Sequence, residues 1–259
     1  MRVIVCIKPV KADLVYADER RNEKFVINPY DIKALMVAVN LKKQRDCHVT
    51  CICMGSQASG EAMIKALALG ADQAVLMSDP VFGGADTVAT TYVLARGIES
   101  LGGGDLIFCG EKSIDGETGQ VAFGLSERLA YPCISNVDEI LDITENQITF
   151  KQTTDEYEQV VRAPSPVMVV SREFMVETGK ISLSALKKAK KTGFIVWTAA
   201  DLNLELEKCG IGGSKTRVLE IHNDMVKKES RQVQGDAAGK AKLIMKLLAG
   251  LKTEGAATG

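Results

Sequence analysis

The densest group of residues able to do chemistry is the run Asp105-Leu-Ile-Phe-Cys-Gly-Glu-Lys-Ser-Ile-Asp-Gly-Glu-Thr-Gly-Gln-Val121. An apolar strand ends at Cys109, glycines at 110, 116 and 119 let the backbone bend, and Thr118 stands where it would cap the helix that follows. Such a turn gathers backbone N–H groups and the positive end of a helix at the carboxyl edge of a sheet, an arrangement that suits a phosphate or pyrophosphate. An ordinary strand-to-helix turn uses the same residue types, so spacing alone leaves both readings open. A second turn, Phe82-Gly83-Gly84-Ala85-Asp86-Thr87, follows another apolar strand. Its small residues let a flat ring approach the backbone, while Asp86, Thr87 and Thr90 offer polar groups at the start of a helix. Asn28-Pro29-Tyr30-Asp31 opens one more helix and by itself reads as a cap with proline at the first helical position.

Other chemistries find little support. The chain has only two histidines, His48 and His222. One opens a buried strand and the other lies in a stretch without periodicity, so a Ser-His-Asp or Cys-His relay has no natural place and no catalytic residue is expected. The run Cys47-His48-Val49-Thr50-Cys51-Ile52-Cys53 puts its cysteines on one strand face and His48 on the other, which is not a metal-binding knuckle. No G-x-G-x-x-G follows the first strand, so any nucleotide is held differently from the dinucleotide-binding dehydrogenases. The turn at 82–87 is superficially similar to the Ser-Gly-Gly-x-Asp-Ser loop of ATP pyrophosphatases. That loop follows the first strand, whereas here the first strand leads into Lys8-Pro9-Val10.

These residues need a scaffold. Residues 2–7, 49–54, 73–77 and 105–109 are continuous apolar runs, the mark of strands buried on both faces of a parallel sheet. Helical spacing fills the intervals at 29–43, 60–69, 86–98 and 118–129, with Gly70 placed to end the second helix in a left-handed conformation. The order βαβαβαβα predicts a mainly parallel, doubly wound α/β sheet with its ligands beyond the carboxyl ends of the strands. Four shorter strands at 136–143, 147–153, 158–162 and 167–170 read as a meander added to that sheet. A short amphipathic helix is expected at 182–191, an arm without periodicity from 202 to 238, and a last amphipathic helix at 239–251. The organisation expected is an α/β nucleotide-binding domain over 1–200, with 201–259 as an arm and helix packing on another subunit.

Composition bounds the class. The 259 residues are 46% apolar and 25% charged, and Lys+Arg 32 against Asp+Glu 33 gives a net charge of -1. That excludes disorder, and it removes the cationic surplus a nucleic-acid binder needs. No apolar run approaches the roughly 20 residues of a membrane-spanning helix, so membrane insertion is not expected. The first eight residues read as a strand rather than a signal peptide, and the default compartment is the cytoplasm. Seven scattered cysteines read as reduced, buried thiols.

Together the segments resemble the β subunit of electron transfer flavoproteins. The resemblance is carried by Val5-Cys6-Ile7-Lys8, Asn28-Pro29-Tyr30-Asp31 with Ala34-Leu35, Met54-Gly55, Ala66-Leu67-Ala68-Leu69-Gly70-Ala71-Asp72, Gly84-Ala85-Asp86-Thr87, Gly110 with Ile114-Asp115-Gly116-Glu117-Thr118-Gly119-Gln120-Val121, Ala189-Lys190-Lys191 and Thr216-Arg217-Val218. It implies a heterodimer with a larger α subunit, passing electrons through FAD to a partner. By resemblance an adenine nucleotide meets Cys6, Asn28, Asp31, Met54, Gly110, Asp115, Gly116, Thr118, Gly119, Gln120 and Val121. The ring of a second FAD would approach Asp86, Thr87 and Thr90.

Members of that family bury either AMP or a second FAD in this subunit, and the Gly-Ala-Asp-Thr run implies the FAD-holding, bifurcating type. There NADH is the electron donor; one electron goes by way of the α subunit to an FAD-dependent dehydrogenase and the other to ferredoxin or flavodoxin. Leu183 would anchor the partner dehydrogenase, with Lys187, Lys188, Lys190 and Lys191 orienting it. Glu111-Lys112-Ser113 departs from the family's usual residues, and the stretch from Lys11 to Val26 is shorter than usual. A simple carrier with structural AMP, a non-redox adenine-nucleotide-binding regulatory module and an ATP-splitting enzyme are the alternatives.

Overall fold

The computed structural model describes residues 1–15, 25–171, 180–219 and 236–254. The chain runs through β1 (Arg2–Cys6), β2 (Pro9–Lys11), β3 (Phe25–Ile27), α1 (Pro29–Gln44), β4 (His48–Met54), α2 (Gly60–Leu69), β5 (Gln73–Met77), α3 (Thr87–Ser100), β6 (Leu106–Gly110) and α4 (Val121–Leu129). It continues with β7 (Cys133–Ile143), β8 (Gln147–Thr153), β9 (Glu158–Pro164), β10 (Val167–Ser171), α5 (Leu183–Thr192), β11 (Ile195–Trp197), the single turn α6 (Gly210–Gly213) and α7 (Ala237–Glu254). Two compact units result, Met1–Arg217 and Val218–Gly259; the second contains α7. No helix among the described residues is long and apolar enough to cross a membrane.

The first unit is a mixed α/β fold on a nine-stranded sheet of order β11-β5-β4-β1-β6-β10-β7-β8-β9. Pairings from β11 to β7 are parallel, and β7, β8 and β9 form an antiparallel edge. Apolar runs without polar alternation are needed because each central strand feeds two cores. Val3 and Val5 of β1, with Leu106 and Phe108 of β6, pack under α1 and α2 beside Leu35 and Met63. Ile4, Cys6, Ile107 and Cys109 point the other way, under α3 and α4, beside Val93, Ile98 and Leu125. Each fully buried side chain of this size stabilises the fold by about 1.5–3 kcal/mol, so the two cores fix both register and helix placement.

Three sequence-based expectations need correcting. The strand expected at 167–170 does not close the meander. β10 lies inside the sheet, parallel to β6 on one side and β7 on the other, and Val167, Met168 and Val169 are fully buried. Residues 202–217 do not start an arm: Leu202, Leu204 and Cys209 join the core under α3, so this stretch folds back on the sheet. Strands β2, β3 and β11 were not expected, being three residues each and too short for a period to show. Residues 16–24, within the atypical segment after the first strand, and His222 lie outside the described residues.

Candidate functional site

The chain builds β4 and β5 on one side of β1, then crosses back through α3 to place β6 on the other side. Between β1 and β6 the winding reverses. Their connections leave in opposite directions and open a crevice beyond the carboxyl ends. Cys6 and Gly110, the last residues of the two strands, therefore meet at the floor of one cleft of about 420 Å³.

Asn28, just before α1, and Asp31, in its first turn, form one wall with Met54 at the end of β4. Asp31 is only 6% exposed. One carboxylate oxygen accepts from the Lys8 backbone N–H at 2.8 Å, and the Gly110 N–H and Asn28 side chain also hydrogen-bond the group. Burial pushes its pKa from 3.8 up to about 7, against these donors and the Lys8 charge. A Cβ at Gly110 would overlap the Asp31 carboxylate and come within 2.8 Å of Tyr30 Cβ, so only glycine lets β6 end against α1.

Asn28 precedes α1, but its side chain makes no capping bond. Instead it donates to the Lys112 carbonyl at 2.8 Å and accepts from the Ile114 N–H at 3.3 Å, tying the loop after β6 to α1. Gly116, Thr118, Gly119 and Val121 of that loop line the cleft. Thr118 does not cap the next helix. Gly119 at φ 62 turns the chain once more, and α4 starts at Val121 behind Gln120, which makes no side-chain cap bond. The N–H groups of the first turn are thereby left for an anion. Lys8 ion-pairs with Asp115 at 2.6 Å. Burial would raise the Asp115 pKa, but bonds from Lys8 and Ser113 outweigh it and hold the group below the usual carboxylate range. Asp115 and Gln120 lie beside the cleft rather than on its lining.

The far wall is the start of α3: Ala85, Asp86, Thr87 and Thr90. The turn at 82–87 differs from its sequence reading, because the room left by its glycines is already filled. A Cβ at Gly84, whose φ is 70, would overlap Ile211 of α6, and one at Gly83 would press the Pro80 carbonyl at 3.2 Å. The Asp86 carboxylate is likewise engaged, accepting from Ala89 N–H at 3.0 Å and from the N–H groups of Lys215 and Thr216 at 2.6 and 2.9 Å. Lys8, Leu94, Cys109, Lys112, Ser113 and Thr216 line the cleft without having been singled out. All of these but Leu94 stand in the quoted motifs; Leu94 gave no local signal.

A model described as the electron transfer flavoprotein domain matches residues 13–202. Among curated proteins, the chain is 32% identical to the electron transfer flavoprotein subunit beta of Clostridium acetobutylicum, over 88% of this chain and 90% of that one. It is 32% identical to Protein FixA of Azorhizobium caulinodans, covering 85% and 84% of the two chains. It is 31% identical to the caffeyl-CoA reductase-Etf complex subunit CarD of Acetobacterium woodii, covering 91% and 92%. The chain belongs to the electron transfer flavoprotein β-subunit family.

Electron transfer flavoproteins must also meet a redox partner, and the residues expected to do so stand apart from the cleft. α5 starts after Ser182, whose hydroxyl accepts from Ala185 N–H at 3.1 Å, and buries Ala189 while packing on α2. Leu183, in its first turn, is 80% exposed. Lys187, Lys188, Lys190 and Lys191 are exposed on the same helix. A leucine this bare contributes nothing to the core, as a docking anchor requires.

Proposed function

We propose that this chain is the β half of a heterodimer with a larger, flavin-bearing α subunit, and that its cleft holds FAD by the adenosine and phosphates. One observation carries the reading: a single cleft runs from Cys6, Asn28 and Asp31, past the uncapped start of α4, to Thr87 and Thr90 at the start of α3. In that reading Asn28 and Asp31 face the adenosine, and Gly116, Thr118, Gly119 and Val121 bring backbone N–H groups to the phosphates. The Lys8–Asp115 pair ties the loop to the segment after β1 at the same end. Thr87 and Thr90 offer hydroxyls to the remainder of the cofactor. No side chain here acts as acid, base or nucleophile.

When bound, FAD supplies two-electron uptake from NADH and one-electron delivery to two acceptors of different potential, an FAD-dependent dehydrogenase and a ferredoxin or flavodoxin. The protein's part is to hold it, set its surroundings and present Leu183 with its four lysines to the dehydrogenase. A second reading, a simple carrier with AMP in the cleft, is favoured by Ile211, which takes the space at Gly84 that a ring was expected to use. Cofactor content decides between them. The complex purified with its α subunit is expected to hold about two FAD per heterodimer, and to be reduced fully by NADH without air. About one FAD with one AMP, and no reduction by NADH, selects the simple carrier.

A further inference from the structure

The stretch 209–216 is hooked over the turn that forms the far wall of the cleft. Ile211 N–H donates to the Gly83 carbonyl at 3.2 Å, and Ser214 Oγ donates to the Gly210 carbonyl at 2.7 Å while accepting from Asp86 N–H at 2.8 Å. The two surfaces fit only through glycines at positive φ: a Cβ at Gly84 would overlap Ile211, and one at Gly210, with φ 52, would overlap the Val81 carbonyl oxygen. At the end of the hook one carboxylate oxygen of Asp86 gathers Lys215 N–H at 2.6 Å, Thr216 N–H at 2.9 Å and Thr216 Oγ1 at 3.2 Å. Its other oxygen caps α3 through Ala89 N–H.

Lys215 and Thr216 are exposed, so apolar burial contributes little to their placement and charge-assisted hydrogen bonds to Asp86 must supply it. Burial alone would raise the Asp86 pKa; the donors from Ala89, Thr216 and Lys215 outweigh it and keep the group ionised. Thr216 lines the cleft. Lys215, its neighbour, lines a separate cavity of about 320 Å³ with Tyr92, Arg128 and Lys208. Lys215 and Thr216, both held by Asp86, thus stand side by side with one bordering each space.

We propose that Asp86 is a positioning residue, a clasp that holds residues 214–216 shut against the start of α3 and so sets how long an adenine nucleotide stays in the cleft. The inference rests on the reading of that cleft given above. Because Thr216 faces the ligand space and its amide faces Asp86, clasp closure and occupancy stabilise each other, and by linkage each must be visible in the other. Release of nucleotide then requires the hook to lift, and Asp86 governs the rate.

The test uses the heterodimer with its native nucleotide, measuring dissociation into a nucleotide-free acceptor and hydrogen exchange at the Lys215 and Thr216 amides. Asp86→Asn isolates the clasp, since asparagine caps a helix as well as aspartate but presents an amide where two N–H groups need an anion. The expected result is release about 10–100-fold faster, with amide exchange at 215 and 216 that no longer responds to nucleotide. In the wild type those two amides should exchange more slowly when nucleotide is bound than after its removal. A purely structural role would not produce that ligand-linked difference. Ser214→Ala, which leaves the carboxylate in place, should give a smaller acceleration and serves if the first variant does not fold. A wild type that holds nucleotide, with both soluble variants releasing it at the wild-type rate or with amides at 215 and 216 indifferent to occupancy, overturns the clasp. A wild-type heterodimer with no adenine nucleotide in this chain overturns the reading of the cleft itself, and is recognised before any rate is measured.

Discussion

Replacing Asp31 with asparagine tests the electrostatics of the cleft floor. The carboxyl is buried, and its pKa rises from 3.8 to about 7 because desolvation outweighs the N–H groups of Lys8 and Gly110, the Asn28 amide and the Lys8 charge. A folded-state value above the unfolded one means the native protein binds the extra proton between those limits. Stability contributed by this group is therefore full below about pH 4, falls as pH rises toward 7, and levels off above it. A shift of this size corresponds to at most about 4 kcal/mol across the window. Neighbouring thiols do not blur the signal: burial pushes Cys51 and Cys53 upward, so they stay neutral throughout. Asp72, Asp86 and Asp115 are shifted downward and lose stability only at more acid pH. Urea unfolding at pH 5, 6, 7 and 8 should show wild-type stability declining with pH relative to Asp31→Asn, by up to about 3 kcal/mol over that range. Parallel curves for the two proteins would refute the argument, showing that the carboxyl reaches water or a partner that keeps it ionised.

Further outcomes follow from the same geometry. Gly110→Ala should destabilise the fold by about 1–3 kcal/mol in chemical denaturation, because the new methyl meets Asp31 and Tyr30 together. Thr90→Trp, filling the α3 end of the cleft, should abolish FAD retention while AMP binding measured by calorimetry survives; loss of both would place the adenosine at the wrong end. Leu183→Ala should raise the KM for the partner dehydrogenase about tenfold or more with an unchanged melting temperature, since the side chain is 80% exposed. An unchanged KM would remove α5 from the docking surface.

Much of the fold was legible because the central strands are covered on both faces and their sequences say so without interruption. The runs from Val3 to Cys6 and from Leu106 to Cys109 admit no other reading once helices flank them. Pairing partners are less legible. Val167–Val170 is a continuous apolar run like the central strands, but its place in the chain directly after β8 and β9 reads as one more meander strand, and its insertion between β6 and β7 makes it a core strand. The hook at 209–216 was missed for another reason: glycines and carboxylate hydrogen bonds hold it, and neither has a period. At the site the glycines are small for differing causes. Gly110 is small because Asp31 and Tyr30 press on it, and Gly84 because Ile211 does, not because a ligand ring needs the space. Convergence of Cys6, Asn28, Asp31 and the 116–121 loop came from the family resemblance; local spacing supplied only the loop.

The central claim is that the crevice between β1 and β6 holds an adenine nucleotide. The most direct measurement is the adenine nucleotide released on denaturing the purified heterodimer, compared for the wild type and a folded Gly110→Ala variant prepared identically. Expected is about one equivalent in the wild type beyond what the α subunit carries alone, and its loss from the variant. Equal content in both proteins, or none attributable to this chain in either, would contradict it.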